Sequence, residues 1–275
     1  MSEVAGITDS QLSEITELIK HVHGFDFSCY SKASLKRRLS RIIMLKKLTL
    51  DDVKRRLVAE PEFFQWFLEE ITVNVTEMFR DPFFFKALNA QVMPFLSGFP
   101  HIRIWSAGCS SGEEVYSLSI LFKMAGLAEK TFIYGTDISN EVLNEARKGV
   151  YSMRKIKSYE DNYKQTELDG KLTDHFNIMN DEAALKKDLR QNTLFSVHNL
   201  ITDNAFNEFQ LISCRNVFIY FEAALQEKIL KMFHKSLSPL GYLCLGTKET
   251  IRFPDLKNKF RVINSRANIY QKIRD

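Results

Sequence analysis

The sequence contains no apolar run close to the eighteen or so residues needed to cross a bilayer, so a membrane-spanning chain is not expected. Its first residues, MSEVAGITDSQLSE, have neither the basic start nor the apolar stretch of a secretory signal, and the expected compartment is the cytoplasm. Cysteine is scarce: Cys29, Cys109, Cys214 and Cys244 lie far apart, form no C-x-x-C pair and have no histidine at ligand spacing. This argues against a disulfide framework or a zinc site and leaves four small reduced side chains; no metal is expected. Internal repeats and low-complexity segments are also missing. What is present is a chain of 275 residues, 45% hydrophobic and 26% charged. That is the composition of a folded globular protein with one large domain or two smaller ones.

The formal charge of +4 conceals a strong asymmetry. Residues 31–56 hold ten Lys/Arg against Asp51 and Asp52, net +8, so the remainder is net −4. Within SKASLKRRLSRIIMLKK, Leu35, Leu39, Ile42 and Ile43 recur at helical spacing and form one apolar face, leaving Lys36, Arg37, Arg38 and Arg41 largely on the other. A basic amphipathic helix in an otherwise acidic chain points to an anionic partner, whether nucleic acid, anionic lipid or an acidic protein surface.

Residues 9–98 read as consecutive helices, with Ser31 or Ser34 capping the basic one, Asp81-Pro82 opening the last, and Gly98 followed by Pro100 after it. An all-helical N-terminal domain over 1–98 is expected. From His101 short apolar strands alternate with helices, which implies a mostly parallel sheet covered by helices over 99–275. The segments GYLCLGT and FRVINSRANIYQKI read as closing strands in an antiparallel hairpin. Between about 150 and 191 the pattern loosens over too many residues for an ordinary connection, so an inserted subdomain is expected there.

Residues 103–120, RIWSAGCSSGEEVYSLSI, carry the clearest chemistry: a strand runs into Gly108, small residues and Gly112, then a helix. Glycine permits close backbone approach, and the exposed amides and helix dipole favour an anionic group. The loop is neither GxxxxGK[ST] nor GxGxxG. The next strand, TFIYGTD, ends in Asp137, 25 residues after Gly112, where a carboxylate at the sheet's edge can accept both hydroxyls of a ribose. Asp137 has an alternative use as a helix cap, which Ser139 can fill instead.

These residues and others distributed along the chain resemble the CheR-type chemoreceptor glutamate methyltransferases. The resemblance rests on ITVNVTEMFRDPFFF at 71–85, WSAGCSSGEEVYSL at 105–118, YGTDISNEVLNEARKGVYS at 134–152, NL at 199–200, CRNVFIYF at 214–221 and LSPLGYLCLGTKET at 237–250. It implies a Rossmann-like α/β fold with a mostly parallel seven-stranded sheet, a C-terminal antiparallel hairpin, a small inserted β-subdomain and the all-α N-terminal domain. It also implies S-adenosylmethionine as cofactor, S-adenosylhomocysteine as product, and transfer of methyl to receptor glutamate carboxylates.

Carried over by resemblance, Asn74, Thr76, Arg80, Gly108, Glu113, Asp137, Asn199, Leu200, Arg215 and Asn216 bind the cofactor, and Arg80 and Tyr220 stand near the transferred methyl. Lys36, Arg37 and Arg41 become a dock for the acidic helical hairpin of a receptor cytoplasmic domain. No nucleic-acid partner or membrane insertion is expected, and the expected state is a monomer. Gln210, Met78, Val115 and Lys248 depart from the family pattern without removing a cofactor residue. The insertion has one glycine, Gly170, and lacks the Gly-x-Gly turn with which some members bind a receptor peptide. Two competing readings are a nucleic-acid methyltransferase, disfavoured because the strand ends in CRNV rather than [DNS]-P-P-[YFW], and a non-enzymatic S-adenosylmethionine sensor.

Overall fold

The structure is a computed structural model that describes residues 6–72 and 76–273. Two compact units divide the chain: residues 1–74 with 218–226, and residues 75–217 with 227–275.

In the first unit, α1 (Asp9–His23) starts from a capping box between Thr8 and Gln11 and stops at Gly24, whose φ of 70° suits a residue without Cβ. The basic helix α2 (Lys32–Lys46) has Ser31 at its N-cap and buries Leu35, Leu39 and Ile42, as the spacing predicts. A second capping box, Thr49 with Asp52, opens α3 (Leu50–Ala59), and α4 (Pro61–Thr72) buries Phe63, Phe64, Phe67, Leu68 and Ile71. Residues 218–226 join this unit through Ser31 N donating to Tyr220 O at 2.8 Å, Glu222 N donating to Cys29 O at 2.9 Å, and an edge-on contact of Tyr30 with Phe221.

The second unit begins with α5 (Pro82–Gln91) and α6 (Met93–Leu96). One continuous helix over 82–96 was expected; the chain breaks at Val92 because Pro94 has no N–H to donate to the carbonyl four residues back. The expected boundary near residue 98 also moves towards 74. Phe84, Phe85, Leu88 and Leu96 share one core with Ile102 and Ile104 of the first strand, so burial assigns these helices to the sheet.

That sheet has the order β6-β2-β1-β7-β8-β10-β9, formed by β1 (Ile102–Ala107), β2 (Thr131–Asp137), β6 (Thr193–Val197), β7 (Phe209–Cys214), β8 (Leu237–Leu245), β9 (Phe260–Asn264) and β10 (Ile269–Lys272). The first five in space are parallel; β10 runs antiparallel to both β8 and β9, giving the expected terminal hairpin. Helix α7 (Glu113–Met124) follows β1, and α8 (Asn140–Lys148) follows β2. Strands β1 and β7 are hydrogen-bonded neighbours from which the chain leads to β2 on one side and to β8 on the other, so the order reverses between them.

The expected insertion is a second sheet, β3-β5-β4, from β3 (Val150–Ser152), β4 (Phe176–Met179) and β5 (Glu182–Leu185), with α9 (Met153–Gln165) and α10 (Lys187–Arg190). Among the described residues, no helix is long and apolar enough to cross a membrane.

Glycine is required where α7 starts against α8. Gly112 has φ 89°, and a Cβ there would lie 2.9 Å from the Ala146 Cβ. Gly126 also has a left-handed backbone, φ 72°, but open space around it. Gly112→Ala is therefore expected to lower stability by about 1–3 kcal/mol and Gly126→Ala by distinctly less, since it carries backbone strain alone. Urea unfolding of the two variants measures the difference.

Candidate functional site

The carboxyl ends of β1, β2 and β7 meet at the reversal of strand order, the position at which open parallel sheets bind ligands. The loop after β1 is fixed to β2, with Gly108 N and Cys109 N donating to Thr136 O at 2.8 and 2.9 Å. Ser110 N then donates to Asp137 Oδ2 at 2.9 Å, while Ile138 N and Ser139 N donate to Oδ1 at 2.8 and 3.2 Å. Burial pushes the Asp137 carboxyl up from its ordinary value, and the three amides oppose that shift. Ser139 caps α8 through Oγ, accepting from Val142 N at 3.5 Å. Asp137 is thereby spared the capping role; Oδ1 already accepts two amides, and Oδ2, which accepts one, retains acceptor capacity.

Glu113 opens α7 and is fully buried. Ser111 Oγ donates to its Oε2 at 2.7 Å, whereas Oε1 has no hydrogen-bond partner and lies 3.6 Å from Lys155 Nζ. Burial pushes this carboxyl up as well. Tyr151 OH donates to Ser111 O at 2.8 Å and so fixes the loop from β3.

Arg80 sits between two locked residues. Phe79 and Asp81 have φ of 53° and 58°, a costly backbone for side chains with a Cβ. Phe79 is held by its amide, which donates to Ser117 Oγ at 2.9 Å, and by its buried ring against Phe85 and Tyr163. Asn162 Nδ2 donates to Glu77 Oε2 and Met78 O, and Tyr159 OH reaches Thr76 O at 3.5 Å. Asn74 lies outside the described residues.

Arg215 directly follows β7, where the sequence places it. Its guanidinium donates to Glu114 Oε2 at 3.0 Å, Asp81 Oδ2 at 2.7 Å and Arg80 O at 3.1 Å, and stacks over Phe84 at 4.0 Å. Those groups engage both terminal nitrogens, while the buried Nε has no hydrogen-bond partner. Glu114 Oε1 in turn accepts from Ser106 Oγ of β1 and Ser213 Oγ of β7. Asn216, at φ 62°, donates its amide to Glu249 Oε2 at 2.9 Å; the same oxygen accepts from Gly246 N at 2.6 Å and ties the end of β7 to the end of β8. Asn199 Oδ1 accepts from Ile201 N at 2.9 Å beside buried Leu200, after β6.

Glu114, Ser117 and Glu249 were not identified as site residues in the sequence. The pair Glu113-Glu114 carried the available signal, because successive helical residues point about 100° apart, so one carboxylate faces the loop and the other faces the strand ends.

The docking residues fall in the first unit. Arg37 is exposed and Arg41 half-exposed, 3.9 Å from Glu70, but Lys36 is paired with Asp9 at 2.9 Å. Arg38 does not share the open face: it is half-buried, feels the Tyr220 phenol, and has a buried Nε without a hydrogen-bond partner. Tyr220 also belongs to this first unit, whereas Arg80, Glu113 and Asp137 belong to the second.

A sheet of this order, with a glycine loop after β1 and a buried carboxylate closing β2, lies within the segment that matches an S-adenosylmethionine-binding methyltransferase domain, and that match sets the class of the protein. The donor set fits that cofactor: Asp137 offers acceptor capacity for ribose hydroxyls, and the orphaned Glu113 Oε1 suits an ammonium.

Two family models match, "CheR methyltransferase, SAM binding domain" over residues 74–269 and "CheR methyltransferase, all-alpha domain" over 10–72. The chain belongs to the CheR methyltransferase family. It is 39% identical over 266 residues to the putative methyltransferase Cher3 of Pseudomonas putida, covering 96% of this chain and 97% of that protein. It is 31% identical over 242 residues to a chemotaxis protein methyltransferase of Listeria monocytogenes, covering 87% and 89% respectively. With that of Salmonella typhimurium it shares 30% over 269 residues, covering 94% and 90%.

Replacing Arg215 by Met strands the Glu114 and Asp81 carboxylates in a half-buried setting. The expected loss is about 3–5 kcal/mol in urea unfolding, with part recovered in the double variant Arg215→Met/Glu114→Gln. Equal stability of Arg215→Met and the parent would refute the structural role assigned to this guanidinium.

Proposed function

We propose that the protein transfers methyl from S-adenosylmethionine to glutamate side chains of a chemoreceptor cytoplasmic domain, as a cytoplasmic enzyme. The observation that carries this reading is the family match over both domains, with relatives named chemotaxis protein methyltransferases along about nine-tenths of the chain. The exposed Arg37 and half-exposed Arg41 of α2 support an acidic protein acceptor.

An acceptor glutamate, with a reference pKa near ~4.3, is already an oxygen nucleophile at neutral pH, so no general base is needed. S-adenosylmethionine supplies a sulfonium methyl: the oxygen–carbon bond forms as the carbon–sulfur bond breaks, its electron pair stays on sulfur, and no proton is released. In the second unit Asp137 would hold the ribose hydroxyls, Glu113 the ammonium, and Arg80 the cofactor's carboxylate, with Thr76, Asn199, Leu200 and the Asn216 segment completing the walls. Tyr220 orients the acceptor through one hydrogen bond. Positioning of this kind contributes up to about 7–11 kcal/mol to rate when two reactants behave as one molecule. A tight ion pair between Arg80 and the acceptor would work against transfer, because opposite charges vanish as methyl moves.

Incubation with labelled S-adenosylmethionine and an isolated receptor cytoplasmic domain should give base-labile volatile label, lost in Asp137→Ala. Cofactor binding without transfer would instead favour a sensing module. Single-turnover rates at saturating cofactor and acceptor are expected to fall in Arg80→Ala and Tyr220→Phe, and unchanged rates would remove these residues from the mechanism.

Charge reversal at Arg37 and Arg41 should weaken acceptor binding in a salt-sensitive way and leave cofactor affinity unchanged, since exposed charges act at short range and are screened. Receptor methylation unaffected by the double reversal would rule out α2 as the dock.

A further inference from the structure

Glu113 Oε1 is a buried carboxylate oxygen with no hydrogen-bond donor, a costly state for a folded protein. Its closest cation is Lys155 from the inserted subdomain. At 3.6 Å that ammonium is too far to fill the oxygen's lone pairs, and its side chain is 50% exposed. The other titratable groups facing Glu113 are Tyr159 of α9, whose phenol also interacts with the carboxyl by hydrogen bonding, Tyr151 of β3 and Cys109 of the glycine loop. Burial pushes all three upward, so they stay neutral near physiological pH. Lys155 is therefore the charge that Glu113 meets at short range among the described residues.

We propose that in the unloaded protein the Lys155 ammonium stands at Glu113 Oε1 in the place the cofactor's α-ammonium takes, so that loading exchanges one cation for another. The long contact and the exposed side chain make Lys155 easy to displace into water. A fixed, fully buried counter-ion would have blocked the site. This makes Lys155, a residue of the insertion, a positioning residue that sets how strongly Glu113 is held ready for the amino-acid end of the cofactor. The inference rests on S-adenosylmethionine binding and is independent of which acceptor receives the methyl.

Two opposing effects follow from removing the lysine. Glu113 loses its competitor, which favours the cofactor where the carboxylate is ionised. It also loses the charge that keeps its carboxyl from rising further, so protonation sets in at a higher pH and abolishes the attraction earlier on acidification.

The test is calorimetric titration of S-adenosylhomocysteine into the full chain, Lys155→Met and Lys155→Arg, between about pH 5 and pH 9. At the alkaline end Lys155→Met should bind about two- to five-fold tighter, and its affinity should fall about half a unit to one unit earlier on acidification, so that its curve crosses the parent's. Lys155→Arg should track the parent. 5′-Methylthioadenosine, which lacks the amino-acid tail, should bind all three proteins alike at every pH. Superimposable S-adenosylhomocysteine profiles for the parent and Lys155→Met would overturn the proposal. So would an equal change for 5′-methylthioadenosine, which would make Lys155 a support of the fold alone.

Discussion

The guanidinium of Arg215 is the point on which the second unit's site depends. It lies at the end of β7 with its side chain 2% exposed, pairs with Glu114 of α7 and with Asp81 at the start of α5, and rests on the Phe84 ring. Glu114 extends the connection to Ser106 and Ser213, neighbouring residues of β1 and β7. One buried cation thus joins the segment carrying Arg80, the helix carrying Glu113 and the two strands at the switch point. An arginine suits this position because its planar fork can meet several acceptors at once, whereas a lysine presents a single point charge.

That fixed frame supports strain and charge in unfavourable states. Phe79 and Asp81 hold left-handed backbone on either side of Arg80, with Ser117 and the Arg215 guanidinium as restraints. Asp81 spends its carboxylate on Arg215 and makes no side-chain cap of its own helix. Asp137 and Glu113 are carboxyls pushed upward by burial, and they differ in what opposes the shift. Three backbone amides attend Asp137, while Glu113 has one serine hydroxyl, its own backbone amide and a distant lysine. The contrast suits ligands of different charge, since a satisfied carboxylate can still accept from neutral hydroxyls, and an under-satisfied one gains most from a cation.

Elements governed by short-range pattern were legible. Leu35, Leu39 and Ile42 at helical spacing gave the buried face of α2, and the strand–glycine loop–helix passage gave β1 and α7. Gln210 shows how a departure from family pattern is absorbed: its amide oxygen accepts from Arg103 N at 2.7 Å, a duty that needs an acceptor and no charge. The break at Val92 was also written in Pro94, but it was masked by the apolar run on both sides. Long-range partners were not legible. Nothing adjacent to Lys36 reveals its pairing with Asp9, and Arg38, which the helical spacing puts on the basic face, is half-buried instead.

The sequence by itself determined the helical start, the alternation that builds a parallel sheet, the carboxylate at the end of β2 and the concentration of positive charge in α2, because each is fixed within one or two turns of helix or one strand. Tertiary structure alone decided that α5 and α6 pack with the sheet, that Arg215 faces Asp81 and Glu114, and that Lys155 of the insertion stands beside Glu113. These contacts join residues far apart in sequence, and their energies come from burial and from charges held close in a weakly screened interior, neither of which local periodicity encodes.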